Sequence, residues 1–226
     1  MEAKILVVDD EEDVLAFVVP TLENEGYEVI KASEGSEAII KWRDECPDLI
    51  VLDIKMPGMS GIDVLREIRR DDKTIPIVML TSLDEIFDQQ TAIKWGASQW
   101  VSKSERELLR DWVNAELKQL RQAKLECEDL KINFDAMKVN VKRDDEWKER
   151  HLEPNERELL FFLAHRQGKV QNKGKLNKRV FGKEAGEKGE GSLAKTVSTL
   201  RKKIEPVPAE PKYICTVAGE GYRFDA

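Results

Sequence analysis

DLIVLDIKMPGMSGIDVLREIR, residues 48–69, changes its periodicity partway along. Residues 49–53 are a continuous apolar run closed by Asp53. Pro57-Gly58 and Gly61 then mark turns, and from about residue 60 the apolar positions recur at helical spacing. A short apolar run followed by a turn and an amphipathic helix reads as a buried strand feeding a crossover helix.

The same alternation extends to both sides. KILVV (4–8), YEVIKA (27–32), IPIVMLT (75–81) and QWVS (99–102) are β-branched runs, and 11–25, 35–45, 60–70 and 84–95 have helical length and pattern. With a last helix over 104–124, five strands and five helices predict an α/β doubly wound, flavodoxin-like domain with a parallel sheet covered on both faces. In that last helix Leu108, Trp112, Leu117 and Leu120 fall on roughly one side. Pro20 is a misfit, expected to kink the first helix or remove one of its bonds.

The net charge of −7 hides a division. Residues 1–126 carry 16 Lys+Arg against 27 Asp+Glu, whereas residues 127–226 carry 21 against 17. Such asymmetry predicts two domains with different partners. We expect domains at 1–120 and 130–226, joined by a charged linker at 121–129. In the second, Leu130, Ile132 and Phe134, then Met137, Val139 and Val141, alternate with polar residues as antiparallel strands do. Helices follow at 154–167, with Pro154 at its first position, at 173–181 and at 192–205. The Gly-rich stretch 183–191 reads as a loop. KYICTV, AGEG and YRF then close the chain as a hairpin, which makes this half α+β.

Three scattered cysteines with no C-x-x-C spacing read as reduced thiols. No charged-then-apolar leader precedes KILVV, and no apolar run approaches the ~20 residues that span a membrane. A cytoplasmic protein with no membrane partner is expected.

Ligands of an open parallel sheet bind beyond the carboxyl ends of its strands. Those ends carry Asp9-Asp10, Asp53, Thr81-Ser82 and Lys103. Each has a plain structural role as a helix cap, turn residue or surface charge. Together they place three carboxylates, a hydroxyl and an ammonium on one edge. Clustered carboxylates attract a hard cation such as Mg²⁺, and a carboxylate beside it can attack phosphorus to become an aspartyl phosphate. An ammonium neutralises the transferring group, and a threonine hydroxyl can donate to it.

ILVVDDEEDV, DLIVLDIKMPGMSGIDVLREIR, IPIVMLTS and the GA…W-V-x-K block together resemble the receiver domain of two-component response regulators. The resemblance implies that Asp53 is the phosphoacceptor. It also implies that Asp9, Asp10, Asp53 and the Lys55 backbone carbonyl hold Mg²⁺, that Thr81 and Lys103 contact the phosphoryl group, and that Trp100 stands at the switching aromatic position. Ser104 departs from the family's usual proline. With the bulk of Trp100, it predicts altered or weakened coupling between phosphorylation and output.

Residues 166–203 carry 12 Lys+Arg against three Glu, a footprint suited to phosphate backbones. On 192–205, Leu193, Val197, Leu200 and Ile204 form one stripe. The opposite face shows Lys195, Ser198, Thr199 and Lys202, flanked by Arg201 and Lys203. Such a face suits a major groove. L-x-P-x-E-x-x-L-L (152–160), R-V-F-G (179–182), L-R-K-K-I (200–204) and Y-I-C-T-V-x-G-x-G-Y-R-F (213–224) resemble the winged-helix effector domain of the OmpR/PhoB class. That resemblance makes 192–204 the recognition helix and 216–223 the wing, with Arg223 added to the contact set. Ala218, where the family usually has arginine, and Glu220 predict a weaker minor-groove contact.

The implied protein is a transcriptional regulator, not an enzyme, phosphorylated by a sensor histidine kinase and bound to double-stranded promoter DNA. A two-fold homodimer on tandem half-sites is the favoured assembly, although Ser98-Gln99 and Gln89-Gln90 replace charged residues usual at the receiver pairing face. The runner-up is a regulator whose DNA binding is largely independent of phosphorylation. A haloacid-dehalogenase-like phosphatase would want Asp-x-Asp after the first strand, and a flavodoxin-like flavin carrier would want Ser/Thr/Gly phosphate loops instead of an acidic edge.

Overall fold

The computed structural model describes residues 3–82, 93–182 and 188–226. The chain divides into two compact units, Met1–Gln119 and Leu120–Ala226.

In the first unit β1 (Lys4–Val8), β2 (Glu28–Ala32), β3 (Leu49–Asp53), β4 (Ile77–Thr81) and β5 (Gln99–Ser102) form a parallel sheet in the order β2-β1-β3-β4-β5. Every residue of β1, β3 and β4 is buried, as a sheet covered on both faces requires. Alternate residues Leu6, Val8, Ile50, Leu52, Ile77 and Met79 share one core with α2 (Gly35–Glu45) and α3 (Gly61–Asp71). Ile5, Val7, Val51, Val78 and Leu80 are equally buried and, by the two-residue period of a strand, point the other way. The apolar stripe of α1 (Glu12–Glu23), Val14, Val18 and Leu22, is buried too. Full burial of such a side chain contributes about 1.5–3 kcal/mol, so the doubly wound architecture follows from the apolar runs.

Pro20 lies exposed inside an uninterrupted α1. It forgoes one donor and faces water, where its ring disturbs no packing. The expected helix 84–95 falls mostly on 83–92, outside the described residues.

The stretch 104–124 is not a single helix. A 3-10 segment, Lys103–Leu108, precedes α4 (Leu109–Gln122), and Glu105 has non-helical φ −113 and ψ 24. This break resets the helical phase. The buried stripe is Leu109, Val113 and Leu117, spaced by four. Leu108 is 48% and Trp112 39% exposed, contrary to the face expected from sequence. The Tyr27 hydroxyl after α1 donates to Asn114 Oδ1 on α4, and the Arg106 guanidinium lies 4.6 Å over the Phe17 ring.

The second unit opens with an antiparallel sheet of β6 (Lys124–Glu126), β7 (Leu130–Asn133), β8 (Lys138–Arg143) and β9 (Glu146–Glu149). The linker expected at 121–129 thus holds the end of α4 and all of β6. Only Leu125 interrupts the charges of β6, and its pairing with β7 is a backbone matter that composition does not display. Leu130, Ile132, Phe134, Val139 and Val141 are buried as expected, but Met137 is 41% exposed in a turn with φ 52.

Three helices follow: α5 (Pro154–His165), α6 (Lys173–Phe181) and α7 (Lys188–Ile204). Gly182, φ 80, ends α6. The α7 helix begins earlier than expected and takes in Gly189 and Gly191 from the supposed loop, tertiary context overriding their low propensity. A hairpin of β11 (Ile214–Val217) and β12 (Gly221–Phe224) is joined by β10 (Gln171–Asn172) in the order β10-β12-β11.

Glu205, fully buried one residue past α7, locks helix to hairpin. Its carboxylate accepts the backbone N–H groups of Lys212 at 2.8 Å, Tyr213 at 3.0 Å and Ile214 at 2.7 Å. Removing it strands buried donors, each worth about 1–3 kcal/mol. Glu205→Ala should therefore destabilise the second unit by about 2–4 kcal/mol in urea unfolding, and a change under about 0.5 kcal/mol, the level of an ordinary surface substitution, would contradict that role.

Candidate metal centre and nucleic-acid interface

β1, β3, β4 and β5 are neighbours and parallel, so their carboxyl ends open onto one edge. Asp9 follows β1, Asp53 ends β3, Thr81 ends β4, and Lys103 follows β5. Asp9 is 0%, Asp53 2% and Thr81 0% exposed. Oxygens of Asp9, Asp10 and Asp53 lie within 4.8 Å of one another. The Lys103 ammonium reaches among them, 3.0 Å from Asp9 Oδ2, 3.0 Å from Asp53 Oδ2 and 2.7 Å from Glu11 Oε1. Glu11 escaped the sequence reading, although it adjoins the Asp pair. Asp9 Oδ1 also accepts the Glu11 N–H at 2.9 Å, which holds the strand-to-helix turn.

The loop after β3 brings the backbone close. A Cβ on Gly61 would stand 1.9 Å from the Asp53 carbonyl oxygen, so only glycine fits there. Ser60 caps α3, accepting the Asp63 N–H at 3.2 Å. This is the physical content of the Met-x-Gly portion of the motif.

Burial raises the Asp53 carboxyl to about 6, with the neighbouring Asp9 charge adding to it and Lys103 opposing. Burial raises Asp9 as well. Burial works against the Lys103 ammonium, but its bonds to Glu11, Asp53 and Asp9 carry its pKa above the ordinary lysine value. Glu11 is lowered by its bond to Lys103. One cation does not balance four acids. Asp9 Oδ2 and Asp53 Oδ2 are buried and accept no hydrogen bond of good geometry, despite the nearby ammonium. All-oxygen donors, excess negative charge and unsatisfied lone pairs fit a hard divalent cation.

Trp100 is half-buried against the core that includes Met79, its partner across β4 and β5. Thr81 Oγ1 donates to the Ser82 carbonyl at 3.2 Å. Ser104 takes a form that proline could not: its N–H donates to Ser102 Oγ at 3.3 Å, and the two hydroxyls bond at 2.7 Å. This clamp flanks Lys103. Lys55 is exposed in the loop after β3.

On α7, Leu193, Val197, Leu200 and Ile204 are buried, as the stripe predicted. Lys195, Ser198 and Lys202 are exposed on the other side, and Thr199 is half-buried, donating to the Thr196 carbonyl at 3.0 Å. Three of the residues expected to contact DNA have internal partners. Arg201 donates to the Ile214 carbonyl at 2.6 Å through Nη2 and 3.0 Å through Nε, and to Thr216 Oγ1 at 2.8 Å. Lys203 meets Glu156 Oε2 at 2.5 Å. Arg223 forms a two-point pair with Asp225, both bonds 2.6 Å. Arg201 and Lys203 lie one position from the buried stripe, on its two borders, where a long side chain reaches the hairpin or α5 before it reaches water. Gln89 and Gln90 lie outside the described residues. Among the described residues no helix is long and apolar enough to cross a membrane.

Known families match each of the two units. The response regulator receiver domain matches residues 5–114, and the C-terminal domain of transcriptional regulatory proteins matches 148–224. The chain belongs to the two-component response regulators of the OmpR/PhoB class: a phosphorylatable receiver followed by a winged-helix DNA-binding domain. It is 36% identical over 241 residues to the alkaline phosphatase synthesis transcriptional regulatory protein PhoP of Bacillus subtilis, covering 100% of this chain and 98% of that one. It is 34% identical over 229 residues to the transcriptional regulatory protein KdpE of Mycobacterium tuberculosis, covering 98% and 99%. Among solved structures, NtrX from Brucella abortus in complex with ADP matches 53% of this chain and 28% of its own at 32% identity and TM-score 0.50. These matches do not favour the phosphorylation-independent reading.

The raised Asp53 carboxyl has a measurable sign. Its native pKa of about 6 exceeds the ordinary 3.8. The unfolded chain therefore ionises first, and stability falls as pH rises through that window. Without a divalent cation, Asp53→Asn should stabilise the first unit at pH 7 by about 1–3 kcal/mol and flatten this fall. A variant no more stable than the parent in calorimetry at pH 7 contradicts the crowded-charge picture.

Proposed function

We propose that Asp53 is the phosphoacceptor of this regulator, and that residues 1–120 act as the phosphoacceptor domain governing a DNA-binding domain at 130–226. The observation that carries this reading is the buried pair Asp9 and Asp53 sharing the Lys103 ammonium at 3.0 Å each, with carboxylate oxygens still unsatisfied. Asp9, Asp10, Asp53 and the Lys55 carbonyl would hold Mg²⁺, which supplies charge neutralisation when bound. The Asp53 carboxylate attacks the phosphorus of a histidine-kinase phosphodonor, the histidine nitrogen leaves, and an acyl phosphate results. Lys103 pairs with the incoming oxygens, Thr81 donates its hydroxyl to one of them, and Trp100 adjusts its packing in response. The chain works as a regulator in the cytoplasm, where kinase and promoter are both at hand, and pairs as a two-fold homodimer on DNA.

Lys195, Ser198, Thr199 and Lys202 form the face offered to the major groove of promoter DNA. Arg201 and Lys203 support that face by fixing α7 to the hairpin and to α5, and Arg223 stiffens the wing.

Incubation with Mg²⁺ and a small phosphodonor should add one phosphoryl group to the parent and none to Asp53→Ala, read by intact mass. An adduct that persists on Asp53→Ala overturns the assignment. Lys195→Ala and Lys202→Ala should each weaken DNA binding by about 1–3 kcal/mol if they meet bases. Anisotropy titrations in which neither differs from the parent discredit this face. Arg201→Ala should lower the melting temperature as well as DNA affinity, and a loss of affinity with unchanged melting returns Arg201 to the DNA contacts.

A further inference from the structure

Away from the acidic site and the α7 face, the second unit has a cavity of about 400 Å³ whose lining includes Lys138, Glu149, Arg150, His151, Leu152 and Arg157. Its chemistry is cationic. The Arg150 N–H donates to the Val139 carbonyl at 2.8 Å, continuing the ladder beyond β9. The pairing of Asn140 with Glu149 sets Arg150 opposite Val139, which is 1% exposed. Arg150 thus leaves the sheet on its core side, and its Nε is buried with no hydrogen-bond partner. Arg157 is half-buried in the first turn of α5, whose N-terminal end is the positive end of a dipole.

The nearby acids face other cations, and two of them face cations of the lining itself: Glu153 Oε1 stands 3.9 Å from His151 Nε2, and Glu149 pairs with Lys138 at 3.0 Å. Glu156 accepts the Glu153 N–H at 2.9 Å and pairs with Lys203. Among the described residues neither Arg150 nor Arg157 has a side-chain hydrogen bond or ion pair. A buried guanidinium donor left unmade is costly, and two guanidiniums lining one cavity repel each other unless an anion lies between them.

We propose that this cavity is a binding site for a small phosphate-class oxyanion, clamped between the forks of Arg150 and Arg157. Guanidinium forks match tetrahedral oxyanions in two-point geometry. The doubled positive charge favours a dianion over a carboxylate, which would satisfy one fork only. The volume suits inorganic phosphate, pyrophosphate or a small phosphoester. The site is separate from Asp53, so it stands or falls independently of phosphorylation there.

The test uses the full ¹⁵N-labelled chain in EDTA, titrated with pyrophosphate and followed through the arginine Nε–H signals. Pyrophosphate should shift the Arg150 signal saturably, and acetate at equal ionic strength should not. Arg157→Gln and Arg150→Lys should each weaken binding about tenfold or more while melting no lower than the parent in the absence of ligand. No saturable shift, an equal response to acetate, or unchanged binding in both variants overturns the proposal. The duplex arm separates the two sources of phosphate. Arg157→Gln should leave promoter affinity within about twofold, and a loss of about tenfold would make the cavity a DNA-backbone contact and overturn the free-anion reading.

Discussion

One ammonium group between two buried carboxylates is the constraint on which the receiver rests. Asp9 and Asp53 stand at adjacent strand ends, out of water and close enough to repel. Buried like charges of this kind are tolerated only with a counter-charge. Lys103 supplies it from β5, two strands from β3 in the sheet order. The sheet order, the turn after β5 and the start of α4 all serve to deliver this side chain. The compensation is incomplete, and that incompleteness is what fits the edge to the divalent cation and phosphoryl group of the proposed function.

Two further contacts hold Lys103 in place. Ser102 and Ser104 clamp the residue from both sides through a backbone N–H that proline lacks. Glu11 offers the ammonium a third, solvent-facing carboxylate. Lys103 therefore has two sets of acids to choose between, one buried and one exposed. Trp100, partly buried, packs against the core on the same strand.

Much of this was legible in the residues alone. Apolar runs identified β1, β3 and β4 because strands buried on both faces have no polar alternative, and the acids at their ends converge because parallel neighbours must end on one edge. What stayed hidden depends on contacts distant in sequence. Leu109, Val113 and Leu117 displaced the expected stripe because a non-helical Glu105 reset the phase. Strand β6 was concealed by its charges. Nothing in the sequence marks Glu205, yet it organises the hairpin N–H groups. Counting cations did not reveal their internal partners: Arg179 pairs with Glu158 at 2.6 Å, and Arg201, Lys203 and Arg223 are also engaged within the domain. Charge is visible in a sequence, but its partner seldom is.

The central claim concerns the shared ionisation of Asp9 and Asp53 around Lys103, and ¹³C NMR of the two side-chain carboxyl carbons across a pH titration measures it most directly. The account predicts coupled steps displaced upward, with Asp53 near 6, and both moved down when Mg²⁺ is added. Two independent titrations in the ordinary carboxylate range, indifferent to Mg²⁺, would contradict it.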